Sequence, residues 1–527
     1  MRKLIINADV ITMEETNNIT AILVEDGKIK AIGRDSEILE LKKSGDEVID
    51  MEGKCVMPAF IDPHSHITAL ASTLMLADLS PAKNFSGIID ILNKYKEENK
   101  DAEAIIGFNY DNNFLEEKMH PDKFILDKVS KDIPIAITHK SGHMGVVNSK
   151  ALEVLNITKD TEDMQGGVIG RIPGTTEPNG YLEELAFISN VHRFSKPSIE
   201  TSVANIVKAQ KIYASYGIAT CQDGKTTKLD FIPLEEAAKR QKLELDVISY
   251  VDMKESKEDL KDEIKAYKEY NNRLRIGGYK LFLDGSPQGR TAWMLEPYAG
   301  EKEYRGYPIY EDAKLKEYLN TAIDENMQIL AHCNGDAASE QYLRCFEEIN
   351  RDLKQIRPVM IHAQLTTREQ IARMKNIDMM PSFFNTHIYH YGDVHTENFG
   401  LDRARNISNA KAAVDYKVPF TFHHDTPVVM PDVILAIYTA VNRKTISGKT
   451  LGEENKISVY DALKAVTINC AYQYFEEDIK GSIKEGKLAD FVVLSENPLK
   501  IQKENIRDIK VLETYKEGNL IYKNNHV

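Results

Sequence analysis

Cysteine is scarce in this chain and does not cluster. Cys55, Cys221, Cys333, Cys345 and Cys470 are odd in number, scattered, and form no Cys-x-x-Cys pair, which argues against a disulfide framework and for a reducing, cytoplasmic setting. A basic excess is also missing. The formal net charge is -14 and no long Lys/Arg block occurs, so nucleic acid is not expected as a partner. No window approaches the roughly 18 consecutive apolar residues of a membrane span. The opening "MRKLIINADVITMEE" carries too short an apolar run for a signal peptide, and no membrane association is expected. "SGKT" (Ser447 to Thr450) is not a phosphate-binding loop, because Arg443 stands where the upstream glycine is required. What remains is a chain of 527 residues with 42% hydrophobic and 28% charged residues, a composition ordinary for a soluble enzyme of more than one domain.

The two ends share a texture. "LIINADVITM", "AILVEDGKIKAIG" and "EVIDMEGKCVMP" near the start, and "GSIKEGKLADFVVLSENP" and "VLETYKEGNLIYKN" near the end, alternate apolar and polar residues around Asp-Gly and Glu-Gly turns, which reads as antiparallel hairpins. Residues 1–57 and 479–527 are expected to form one small, discontinuous β-sandwich domain. Between them, "CVMPAFID", "GIATCQDG", "LDVISYV", "YKLFLDG", "QILAHCNGD", "PVMIHAQ", "MMPSFF" and "FTFHHD" alternate with helical patterns. Eight such βα units predict an α/β fold, a (β/α)8 TIM barrel, over residues 58–70 and 205–478. Two further strand candidates, "AIIGFNYD" and "IPIAITHK", fall in 71–204, which is expected to be an insertion over the barrel mouth.

Chemistry collects at the predicted strand ends, where this fold places its active sites. His64 and His66 follow the first strand. Lys280 lies in the fourth, His332 in the fifth, His362 in the sixth and Asp425 at the eighth. Residues i and i+2 of a strand share a face, so His64 and His66 are expected to converge. Four imidazoles can hold zinc or a similar ion, and a carboxylate beside an activated water can accept its proton and pass it on.

These motifs, with "SGHMGVVNSKAL", "KLFLDGSPQGRTA", "AHCNGDAA", "IHAQ" and "HHDTPV", resemble those of the amidohydrolase superfamily, particularly its YtcJ-like branch, which includes N-substituted formamide deformylase. The resemblance implies that His64 and His66 bind one divalent metal, that His332 and His362 bind a second, and that Asp425 is the general acid/base. It puts Lys280 where many members carry a carboxylated lysine bridging two metals. An unmodified Lys280 would instead pair with Asp284 or Asp425 and leave a site for one ion. His143 is expected to bind a substrate carbonyl or to hold its loop, and Arg290 to bind a substrate carboxylate or amide or to anchor a loop by a salt bridge. Asn334 and Asp336 are expected to support the ligands. His423-His424-Asp425 replaces the commoner Gly-Ser-Asp, so His424 is expected to touch substrate or crowd the site. His387, His390 and His395, with Tyr389 and Tyr391, are expected in a pocket wall; they and His423 are given no further role.

The implied activity is hydrolysis of a non-peptide C–N bond in a small N-substituted amide by a metal-activated hydroxide, with zinc as the expected metal and a homodimer as the expected assembly. Cyclic imide hydrolysis, deamination and lactone hydrolysis stay open as alternatives within this chemistry. A non-catalytic metal-binding regulatory protein is the alternative outside it.

Overall fold

Eight strands pair in the order in which the chain supplies them: β1 (Phe60–Ile61), β2 (Ile218–Thr226), β3 (Asp246–Asp252), β4 (Leu274–Phe282), β5 (Gln328–Cys333), β6 (Val359–His362), β7 (Met380–Phe383) and β8 (Thr421–Phe422). Every neighbouring pair is parallel. This computed structural model describes residues 2–15, 18–100, 102–112, 114–139, 144–163, 167–191 and 197–525. The strands read as near-continuous apolar runs because helices cover the outer face, as the fully buried β3 illustrates. Among the covering helices are Lys228–Lys239, Asp312–Asp324 and Asp336–Ile349.

The sheet curls without a ladder joining β8 to β1. Backbone carbonyls of Ala465 and Val466 fill the seam, accepting from Phe422 N–H at 3.0 Å and Ile61 N–H at 3.1 Å. Beyond the strand ends the two edges meet directly, through Asp425 N–H to His64 O at 3.2 Å and His66 N–H to Thr426 O at 2.8 Å. The result is a TIM-barrel-like α/β domain.

The run read as the first barrel strand serves two sheets. Cys55–Pro58 pairs antiparallel with Phe491–Leu494, and only Phe60–Ile61 joins β2. Pro58 has no amide hydrogen to continue a ladder, and Ala59 N–H turns to Asp490 O at 3.0 Å. Strands from both ends of the chain therefore share a five-stranded sheet, beside a four-stranded sheet drawn from residues 2–50. One apolar cluster, including Ile5, Ile22, Val56, Phe491 and Val493, spans both sheets.

Contacts divide the chain into two compact units, Met1–Leu70 with Ile206–Val527, and Ala71–Asn205. The terminal strands fall in the same unit as the eight-stranded sheet. The second unit carries a six-stranded mixed sheet that includes Ile105–Tyr110 and Ile135–His139. Helix Phe85–Glu98 buries Ile88 and Leu92, and its N-cap Asn84 accepts from Gly87 N–H at 3.0 Å. Among the described residues, no helix is long and apolar enough to cross a membrane.

Candidate metal centre

His64 and His66 do converge, but not as strand neighbours. β1 ends at Ile61, His64 lies in a bend after Pro63, and His66 forms an isolated bridge with Asp223. The ring centroids are 5.1 Å apart at 75°. Their Nε2 atoms meet at one oxygen, Asp425 Oδ1, at 3.4 Å from His64 and 3.1 Å from His66. Ligand atoms of these three residues all lie within 4.8 Å of one another. Asp425 sits at φ 55°, a left-handed conformation that costs an aspartate of order 1 kcal/mol or more. The hydrogen bond from its N–H to His64 O holds it there.

Lys280 Nζ lies 3.0 Å from His64 Nε2. Burial lowers the lysine pKa to about 7, against the opposing pull of Asp425, so its neutral amine is populated at neutral pH. Burial, and then the Lys280 charge, keeps His64 neutral and lowers His332 to about 4. Asp425 is held ionised: burial alone would raise its pKa, but the hydrogen bond from His66 and the surrounding imidazoles take it well below the usual range.

His332 Nδ1 and His362 Nε2 face each other at 2.9 Å, and the His362 ring is 5.8 Å from that of His64. His362 is also left-handed, at φ 71°. Metal–nitrogen bonds of about 2.0–2.1 Å set two ligands of one ion roughly 3 Å apart, so this spacing suits a shared cation. The rear nitrogen of His64 points the same way: His64 Nδ1 donates to Gln222 Oε1 at 2.6 Å, which fixes that ring with a lone pair facing the cluster. His332 Nε2 lies between Gly285 O at 3.1 Å and Asn334 Nδ2 at 2.9 Å. The donor set fits a divalent cation, provided Lys280 is present without its positive charge.

The other expected residues are placed as follows. Asn334 supports the site: its side chain donates to Gly285 O at 2.9 Å, and its backbone N–H to Asp284 at 2.9 Å. Asp336 accepts from Leu295 N–H at 2.8 Å. Arg290 is engaged by Ala299 O at 3.3 Å and Glu301 at 3.2 Å, the loop-anchoring arrangement. His424 is buried, and burial lowers its pKa to about 4 against the opposing pull of Asp432. His387 and His395 are buried and joined at 3.0 Å. His143 lies outside the described residues.

Sequence reading missed Gln222 and Gly224 and named Asp284 only as a partner for an unmodified Lys280. Asp284 is buried and receives the backbone N–H groups of Asn334, Gly335 and Trp293, so it is not free to pair with Lys280. Burial raises its pKa to about 7. Gln222, in the middle of β2, is itself fixed by donating to Pro63 O at 2.7 Å and Tyr474 Oη at 2.9 Å; a polar residue following the apolar start of a strand was the available signal. Gly224 leaves room for His64: a Cβ there would overlap His64 Cε1 and come 2.6 Å from Nδ1. Gly224→Ala is therefore expected to displace that ring and lower retained metal, read by elemental analysis after gel filtration. Gln222→Leu, which frees the ring to rotate, is expected to weaken metal affinity about 10–100-fold in chelator competition.

A parallel eight-stranded sheet thus carries a histidine–carboxylate cluster at its C-terminal ends, where this fold places its active sites. The amidohydrolase family model matches residues 47–522, and the chain belongs to that family. YtcJ of Bacillus subtilis (strain 168) is 26% identical over 531 residues, covering 97% of each chain. N-substituted formamide deformylase of Arthrobacter pascens is 25% identical, covering 98% of each. The crystal structure of a metal-dependent hydrolase from Pyrococcus horikoshii OT3 has a TM-score of 0.78 at 26% identity, covering 95% of this chain and 99% of that one.

Proposed function

We propose that this amidohydrolase-family protein hydrolyses a non-peptide C–N bond of a small N-substituted amide. The observation that carries this reading is the convergence of His64 Nε2 and His66 Nε2 on one oxygen of Asp425, at 3.4 and 3.1 Å. The similarity to N-substituted formamide deformylase supports the bond type. His64, His66, His332 and His362 are the residues that would hold a divalent cation, zinc by preference for such nitrogen donors. Lys280 would join them as a carbamate. A bound cation would polarise a carbonyl and lower the pKa of water into the neutral range.

Asp425, kept ionised, takes the proton of the water that adds to the carbonyl carbon. It returns that proton to the nitrogen as the C–N bond breaks, giving a carboxylic acid and an amine. His424, which directly precedes Asp425, would bind a polar group of the substrate.

The test is a matched panel of N-substituted formamides, cyclic imides and lactones, assayed with metal content and intact mass recorded on the same protein. Amine release from the formamides, abolished by chelator and restored by Zn2+, is the expected result. Turnover of the lactones alone would refute the C–N assignment, and metal loading without turnover of any of them would refute the enzymatic one.

A further inference from the structure

Lys225 stands at the strand ends but takes no part in the candidate centre. It is the last residue but one of β2, and its half-buried side chain leans past the end of β3 toward β4. Its Nζ lies 3.8 Å from Asp252 Oδ2, 3.6 Å from Glu255 Oε2 and 5.6 Å from the centroid of the Phe282 ring. Asp252 is the last residue of β3 and Phe282 the last of β4.

Strand register fixes which way these groups face. Asp252 is the ladder partner of Lys280, and residues paired across a ladder project from one face of the sheet. Phe282 follows Lys280 by two positions, so it shares that face. Lys280 Nζ is 5.0 Å from the Phe282 centroid, and the phenyl ring packs on the His332 ring at 5.2 Å and 41°. Lys225 thus brings its ammonium to the face that carries the candidate ligands, with one phenyl ring between it and His332.

The ammonium is oriented but not satisfied. It has three hydrogens to donate, and both carboxylates stand beyond hydrogen-bonding distance. Asp252 is buried and has other donors: its Oδ1 accepts the backbone N–H groups of Lys254 at 3.0 Å and Glu255 at 2.8 Å. That fixed carboxylate steers the lysine over the ring, whose face also attracts a cation. Glu255 is the exposed partner, and an exposed pair is weak enough to exchange with another acid. Arg290, the cation expected to meet a substrate acid, is turned to Glu301 in its own loop.

We propose that Lys225 is a specificity-determining residue whose ammonium receives a carboxylate on the substituent of the amide, in place of Glu255. On the amide-hydrolase reading, on which this rests, the substrate class is an N-substituted amide bearing an acid a few carbons from the scissile bond. The half-exposed Phe282 ring lies beneath the intervening carbons. Attraction of an ammonium-bearing substrate by Asp252 and Glu255 is the opposite outcome.

The experiment measures kcat and KM for three series of matched length on metal-loaded, full-length protein: N-formyl ω-amino acids, N-alkylformamides and N-formyl diaminoalkanes. Low salt is used because exposed charges are least screened there. The acids are expected to exceed the alkylformamides in kcat/KM by about 10-fold or more, the worth of one hydrogen bond between charged groups, with the difference in KM. Lys225→Gln is expected to bring that ratio close to one, and Glu255→Gln, which removes the competing acid, to raise it. A loss in Lys225→Gln shared equally by acids and alkylformamides would mark a structural role and overturn the proposal, as would a preference for the diamines. Turnover of the formamides leaves the amide reading standing in either case. If no compound is turned over, that reading fails, and calorimetric titration with the same acids decides the anion site: affinity lost in Lys225→Gln supports it, and equal affinity in parent and variant overturns it.

Discussion

Asp425→Asn is expected to lower kcat on the best amide of the panel by about 10²–10⁴-fold, the usual contribution of a positioned proton carrier, with little change in KM. The amide group keeps the shape of the side chain but cannot accept the proton of the attacking water. The left-handed backbone at φ 55° tolerates asparagine better than most residues, so the fold is expected to survive. Steady-state kinetics with far-UV circular dichroism and metal analysis on the same preparation check this. Activity within tenfold of the parent, at equal metal content, would remove Asp425 from the proton-carrying role.

The candidate centre was legible to the extent that chemistry in this fold concentrates at strand ends. His332 and His362 lie at the ends of apolar runs and Lys280 interrupts one, and a polar side chain there reads as a deviation from the burial pattern. The geometry that joins them was not legible. His64 and His66 meet at Asp425 through a bend after Pro63, a path that strand periodicity does not describe. Gln222 acts through the nitrogen on the far side of His64, and the two residues lie 158 positions apart in sequence. The split of "CVMPAFID" between two sheets was likewise hidden, because Cys55–Pro58 and Phe60–Ile61 are equally buried and apolar. The seam closed by Ala465 and Val466 uses only backbone carbonyls and leaves no mark in side-chain pattern.

The opposite end of the eight-stranded sheet holds a charge cluster that nothing in the sequence announced, and it carries the largest stability effect expected here. Asp246, the first residue of β3, accepts from Lys480 at 2.6 Å and Lys516 at 2.6 Å, and pairs with Arg273 at 3.0 Å; Lys516 also reaches Asp490 at 2.8 Å. Lys516 ends the strand Val511–Lys516 of the terminal sheet, so the cluster fastens that sheet to β3. Burial alone would raise the Asp246 pKa, but Lys480 and Lys516 outweigh it and hold the carboxylate far below its ordinary 3.8. Burial would lower both lysines, but Asp246 leads the groups that hold them above their ordinary 10.5. A depressed acid contributes stability above its unfolded pKa and loses it as pH falls, while a raised base contributes below its unfolded pKa and loses it as pH rises. The contribution is therefore complete between about pH 4 and 10 and declines on both sides. Asp246→Asn leaves two buried lysines and Arg273 without their shared partner, and it is expected to cost about 3–5 kcal/mol. Lys516→Met is expected to cost less, because Asp246 keeps Lys480 and Arg273 and only Asp490 loses its cation. Urea unfolding at pH 7, followed by circular dichroism, measures both. An Asp246→Asn midpoint equal to the parent would mean that the desolvation of these charges cancels their attraction, and that the terminal sheet is held to β3 by apolar packing alone.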